Sequence, residues 1–308
     1  MPSPTRQSRQ TRSSSSSVPP GLVIVDKPAG PTSHDVVARL RRIFGTRKVG
    51  HAGTLDPMAT GILVIGMERA TKLLGHLALE RKAYLATIRL GASTTTDDAE
   101  GDVLTEADGS QVDEAGVRAG IAALSGPINQ VPSAVSAVKI AGKRAYQMVR
   151  DGEKVELPPR PVVVHRFDLL SLRRAERSTE LDVLVDCSSG TYVRALARDL
   201  GAGLGVGGHL AALRRTQVGP FGLRHARTIE QLTESPELSL DLDSAVDLAF
   251  PRRDLSEAET RAVGHGQAVP AGGLTGTYGM FSPDGHVIAL GADEGGTARP
   301  IVVLAPEG

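Results

Sequence analysis

Apolar and polar positions along this chain fall into short blocks whose period switches between two and nearly four. GLVIVDKPAG carries an apolar run, Leu22 to Val25, that stops at a Pro-Gly turn; that length predicts a buried strand. In PTSHDVVARLRRIFG the period lengthens. Val36, Val37, Leu40, Ile43 and Phe44 share one helical face, with Arg39, Arg41 and Arg42 largely outside it. Thr32 and Asp35 have the spacing of a capping box, with Asp in place of the usual Glu, and Gly45 is the stop signal. GILVIGM predicts a second buried strand, and ERATKLLGHLAL a helix. Between them lies GHAGTLDPMATG, residues 50 to 61. Asp56 there precedes Pro57 and so favours a turn, since proline pushes the preceding residue into extended geometry. Taken alone, this stretch supports a plain turn better than a catalytic carboxylate.

Farther on, AYLATIRLG alternates as a strand beginning at Tyr84, and TTTDDAEGDV reads as an exposed acidic loop. VDEAGVRAGIAALSG predicts a helix with Val117, Ile121 and Leu124 on one face. Residues 127 to 161 are irregular and basic, an excursion of the kind that forms a binding arm. LDVLVDCSSG predicts a strand and TYVRALARDLGAGLG a helix whose Val193, Leu196, Ala197 and Leu200 face the core. Tyr192 and Arg194 then sit at a strand-to-helix junction, a usual place for working side chains in mixed α/β proteins. HLAALRRTQVGPF leads into an acidic link, ELSLDLDSAVDL. After Pro251, short alternating segments between glycines predict a small β domain. The expected organisation is a tail over 1–20, a mixed α/β (α+β) domain over 21–248 that includes the arm 127–161, and a β-rich domain over 249–308.

Composition narrows the chemistry. The tail has three arginines, no acid and a serine run; it cannot bury enough apolar surface to order itself. No apolar run is long enough to cross a bilayer. The single cysteine, Cys187, excludes a disulfide framework and a cysteine-rich zinc site, and it points to a reducing, cytoplasmic setting. Formal net charge is zero, so any phosphate-binding surface must be local. The stretches around Arg39 to Lys48, Lys139 to Arg150 and Arg194 to Arg215 lean basic, whereas residues 97 to 114 hold eight acids and no Lys or Arg.

His51 and Asp56 are too few to hold a metal, and no cysteine pair helps them. There is no G-x-S-x-G elbow, no Walker lysine and no dinucleotide fingerprint. What remains is a lone carboxylate with basic and aromatic companions. Such an aspartate can attack or deprotonate a sugar, provided that it is ionised and aimed, and a neighbouring arginine serves both ends.

Six ordered motifs now carry a resemblance: VDKPAGPTSHDVV, KVGHAGTLDPMATGILVIGMERATK, RKAYLATIRLG with TTTDDAEG, QVPSAVSAVKIAGKRAYQMVRDG, SSGTYVRALARDLG and GGHLAALRRTQVGPF. Over roughly residues 21 to 222 they resemble the TruB family, the bacterial tRNA pseudouridine-55 synthases. The resemblance implies a pseudouridine-synthase fold, a mainly antiparallel mixed sheet flanked by helices, with a C-terminal PUA-like domain. It implies isomerisation of a T-loop uridine of tRNA by base flipping, C1′–N1 cleavage and C1′–C5 rejoining, with no cofactor and no metal; a monomer is expected, since a tRNA-sized substrate occupies one face and no sequence feature demands a partner. By the same resemblance Asp56 is the catalytic aspartate, Tyr84 stacks on the base and helps remove the C5 proton, and Arg194 pairs with the aspartate. Tyr192 and Leu213 match pocket residues, Lys27 and Lys72 match lysines near the site or the RNA, and His51 matches the histidine that contacts the T-loop bases. Val135 stands where many members have an aromatic, and the tail matches nothing in the family. An RNA-folding factor whose catalysis is secondary, and an enzyme acting at another RNA site, are the competing readings.

Overall fold

The computed structural model describes residues 18–134, 139–140, 143–144 and 157–304. The tail up to residue 17, Val135 and most of the expected arm lie outside the described residues. Twelve strands lead to the site: β1 (Gly21–Lys27), β2 (Val49–Ala52), β3 (Thr60–Met67), β4 (Lys82–Leu90), β5 (Ala92–Thr94), β6 (Val103–Glu106), β7 (Gly126–Gln130), β8 (Lys139–Ile140), β9 (Lys143–Arg144), β10 (Arg160–Arg174), β11 (Thr179–Cys187) and β12 (Gly208–Val218). The main sheet has eleven strands and runs β1-β3-β12-β4-β11-β10-β7 along its body, with β2 paired to β3. Neighbours along that path are antiparallel except β3 and β12, which run parallel. This is the expected mixed, mainly antiparallel sheet.

The helix Ser33–Phe44 forms as its sequence predicts. The Thr32 hydroxyl accepts from the Asp35 amide, the Asp35 carboxylate accepts from Thr32 N, and Gly45 closes the helix at φ 67°. The helix Val193–Gly203 lays Val193, Leu196, Ala197 and Leu200 into the same core as Val23, Leu63, Tyr84 and Val183. A second core joins Leu22, Ile24, Ile62 and Val64 of the main sheet to Leu242, Ala245 and Val246 of the helix Leu242–Ala249. Phe281, Val287 and Leu290 of the C-terminal sheet complete that core. The C-terminal sheet has five strands, Arg252–Asp254, Tyr278–Phe281, Val287–Glu294, Thr297–Val303 and Val269–Pro270 in that spatial order. The acidic link is therefore half a packing element, because its apolar positions recur at helical spacing.

Several segments depart from the periodicity reading. ERATKLLGHLAL is a 3-10 helix, Glu68–Leu73, followed by a single α-turn, Leu74–Leu77. Its start is tightened by Glu68, which takes φ 53°. The acidic stretch after Leu90 is not simply an exposed loop. β5 and β6 form a hairpin there, and Thr94 and Asp98 are buried. Within residues 127 to 161, expected to be irregular, β7 is an edge strand that pairs antiparallel with the start of β10 at Arg160 and Pro161. HLAALRRTQVGPF contributes the eleven-residue β12, which sits between β3 and β4 at the centre of the sheet.

Candidate active site

Asp56 lies on a turn that is pinned on all sides. Ala59 N donates to Asp56 O at 3.1 Å, closing a turn around Pro57. Before it, the Ser33 hydroxyl donates to Leu55 O at 3.0 Å and accepts from Leu55 N at 2.9 Å. After it, Pro57 O accepts from Gly30 N at 2.9 Å and from Lys27 Nζ at 3.1 Å. Gly53 supplies the left-handed bend at φ 78°. With each neighbouring peptide held, the Asp56 side chain has little freedom except its own rotamers.

Arg194 meets it from the first turn of the helix Val193–Gly203. Its Nε lies 3.0 Å from Asp56 Oδ2, and its Nη1 donates to Thr96 O at 2.9 Å. The same Nη1 lies 3.4 Å from Asp98 Oδ2. The Arg194 side chain is 6% exposed and that of Asp56 37%, so the pair is asymmetric: the cation is sealed in the wall and the carboxylate faces the cleft. A surface role for Arg194 is excluded by this burial. Asp98, inside the supposed exposed loop, backs the guanidinium from the far side.

The cleft, of about 280 Å³, is lined by Asp56, Tyr84, Tyr192, Arg194 and Leu213 together with Lys82 and Arg215. That is near the lower end for small-molecule sites. Five of the eight residues expected at the site thus converge, from four separate stretches of chain. Tyr192 is fixed through its backbone, which exchanges two hydrogen bonds with the Gln130 amide at 2.8 and 3.1 Å. Tyr84 is buried, which pushes its phenol pKa up, with the Arg215 guanidinium working in the opposite direction.

The other three expected residues stand elsewhere. Lys27 is fully buried, and its ammonium donates to Pro28 O and Pro57 O, beneath the Asp56 turn. Burial pulls its pKa down, opposed by the Asp56 charge. Lys72 is outside the cleft; its Nζ donates to Val303 O of the C-terminal sheet at 2.8 Å. His51 lies on β2, edge-on to His34 with ring centroids 5.3 Å apart. Its Nδ1 is buried with no hydrogen-bond partner among the described residues. Burial, then the neighbouring His34 and Arg215, lower its pKa and favour the neutral ring.

Three cleft or wall residues escaped the sequence reading: Asp98, Lys82 and Arg215. Lys82 donates to Ala78 O and Glu80 O, and burial lowers its pKa to about 8. Their signals were the TTTDDAEG run, the lysine two before Tyr84 and the second arginine of LRRT. Neither a charge in an acidic loop nor one arginine of a pair announces itself as buried. No cluster of metal-ligating side chains occurs among the described residues.

Asp56 on its pinned turn, the sealed Arg194 and Tyr84 thus share one cleft on a mainly antiparallel sheet. Residues 41–193 match the TruB family pseudouridylate synthase N-terminal domain, 194–246 the tRNA pseudouridylate synthase B C-terminal domain, and 250–305 the tRNA pseudouridine synthase II C-terminal domain. The chain belongs to the TruB family. It is 61% identical over 288 residues to the tRNA pseudouridine synthase B of Mycolicibacterium paratuberculosis, covering 94% of this chain and 98% of that one. It is 59% identical to the protein of the same name from Nocardia farcinica, over 94% of each. Among solved structures, a Cbf5-Nop10-Gar1 complex aligns with a TM-score of 0.71 at 27% identity, over 93% of this chain and 85% of that one. An H/ACA ribonucleoprotein bound to a substrate RNA containing 2′-deoxyuridine aligns with a TM-score of 0.70 at 25% identity, with the same coverage.

Proposed function

We propose that this chain is a tRNA pseudouridine synthase that isomerises uridine 55 of the T-loop, working as a cytoplasmic monomer on tRNA. The Asp56–Arg194 pair inside a cleft walled by Tyr84 and Leu213 carries this reading. A uridine packed in a T-loop hides its C1′, so the nucleotide must flip into the cleft at a cost of a few kcal/mol. Stacking on an aromatic side chain returns about 1–3 kcal/mol, and we assign that role to Tyr84, which lines the cleft. Tyr192 and Leu213 complete the pocket wall, and Lys27 supports the turn rather than meeting the base.

Asp56 acts at the ribose, by attack on C1′ or removal of the 2′ proton; both need a carboxylate held open to the cleft beside a fixed cation. The C1′–N1 bond breaks with its electron pair leaving on N1. The uracil turns, C5 bonds to C1′, and the C5 proton departs, with Tyr84 on the base side to help carry it. A proton returns to N1, and the formula is unchanged, so no cofactor or metal enters the balance. His51, neutral and edge-on to His34, offers a flat ring to the T-loop bases. Lys72 serves the contact with the C-terminal sheet and not the cleft.

The test uses an unmodified tRNA transcript carrying tritium at uracil C5. The protein is expected to release one tritium per tRNA, and Asp56→Asn to release none while binding the RNA as well as wild type. Binding without release by the wild-type protein would favour an RNA-folding role instead.

A further inference from the structure

β12 crosses the sheet between β3, which follows the Asp56 loop, and β4, which carries Tyr84, and Arg215 lies in its C-terminal half. On one side Arg215 pairs in register with Gly61, the residue where the Asp56 loop re-enters β3. On the other side it pairs with Tyr84 of β4. The side chain, only 1% exposed, turns into the cleft wall. Its Nε donates to Ile62 O at 2.7 Å, its Nη2 to Gly53 O at 3.0 Å and its Nη1 to Thr54 O at 3.4 Å. Tyr84, its cross-strand partner, lines the same cleft. Both ends of the Asp56 loop are therefore tied to one rigid fork, on a residue paired across the sheet with the tyrosine. Glycine fits this arrangement: a Cβ at Gly61 would strike the backbone of Arg215, and Gly53 lies close to Arg215 Nη1.

We propose that Arg215 is a positioning residue for the isomerisation: a single buried guanidinium fixes the Asp56 loop and the Tyr84 phenol in one frame, so that the group acting on the ribose and the group acting on the base keep a set separation. This rests on the assignment of Asp56 and Tyr84 to catalysis. Guanidinium suits the task because its five donors lie in one plane and do not lose their charge. A lysine keeps the charge but has a single point of donation and cannot span Ile62, Gly53 and Thr54 together.

The experiment compares wild type, Arg215→Lys, Tyr84→Phe and the double variant. Three quantities are measured for each: the single-turnover rate of tritium release, the dissociation constant for unmodified tRNA, and the thermal midpoint. Arg215→Lys is expected to lose about 100-fold in rate, the scale of an ångström-sized misplacement. Its tRNA dissociation constant should stay within about threefold, and it should remain folded at the assay temperature. In the Tyr84→Phe background the same change should cost much less, because half of what Arg215 aligns is already gone. A rate within threefold of wild type overturns the proposal. So does a full 100-fold loss that persists unchanged in the Tyr84→Phe background, which would mean that the phenol is not part of what Arg215 sets. Unfolding of Arg215→Lys at the assay temperature also overturns it, leaving Arg215 a structural tie. Asp56→Asn is run alongside: if it still releases tritium, the catalytic assignment fails and not the positioning role alone.

Discussion

Arg194 is held between two carboxylates of opposite exposure, and removing it tests what that arrangement contributes. In Arg194→Met the stem is replaced by a side chain of similar reach, but the charge is lost. Asp56 is 37% exposed, so water can solvate it and little stability is lost there. Asp98 is different. Its side chain is 5% exposed, and Oδ2 faces Arg194 Nη1 at 3.4 Å. Oδ1 keeps the Thr96 hydroxyl and Glu100 N, at 3.1 Å for the latter. Deleting one partner of a buried pair costs about 3–5 kcal/mol, since the other charge stays buried alone. The two surviving donors on Asp98 place the expected loss at the lower end, about 3 kcal/mol, out of a total folding stability on the order of 5–15 kcal/mol. Adding Asp98→Asn removes the stranded charge and is expected to recover about 1–2 kcal/mol. Guanidinium denaturation followed by circular dichroism reads both steps as midpoint changes at constant slope. Tritium release should be lost in the single and the double variant alike, because neither restores the partner of Asp56. If Arg194→Met is within about 1 kcal/mol of wild type, or if Asp98→Asn destabilises it further, the account of a charge stranded behind the cleft is wrong.

Gly61→Ala combines φ 95° with a collision against the Arg215 backbone and is expected to cost about 2–4 kcal/mol. Gly30→Ala, at φ 105° with open space around it, serves as the comparison and should cost clearly less in the same denaturation assay. Lys82 has a folded pKa of about 8 against 10.5 unfolded, so above pH 8 the unfolded chain holds more protons and stability contributed by this site rises with pH. Between pH 7.5 and 9, wild type should therefore gain stability relative to Lys82→Met; an unchanged difference between the two would rule out a depressed lysine. The window stops at 9 because Cys187, pushed up to about 11 by burial from a usual 9, acts in the opposite direction above it.

Much of this molecule could be read from local pattern. The helix Ser33–Phe44 shows its cap, its apolar face and its stop within fifteen residues, because all three act through neighbours three or four positions away. The strand at Tyr84, the junction at Tyr192 and Arg194, and the turn at Asp56 were visible for the same reason. The ordered motifs let Asp56, Tyr84 and Arg194 be grouped although 138 positions separate the first from the last. Tertiary structure alone decided which charges face inward. Asp98 sits in a stretch of acids whose composition suggests solvent, and the approach of Arg194 from a distant helix, with two local donors, makes its burial tolerable. Arg214 and Arg215 are adjacent and chemically identical, yet alternation along a strand sends them to opposite faces. Arg214 pairs with Asp26 at 2.7 Å, and Arg215 closes the cleft wall. Lys72 shared a motif with the site and ends at the C-terminal sheet, where a carbonyl more than two hundred residues along the chain accepts from it. Periodicity reports which residues are apolar; a buried charge is permitted by its partner, and that partner comes from elsewhere in the chain.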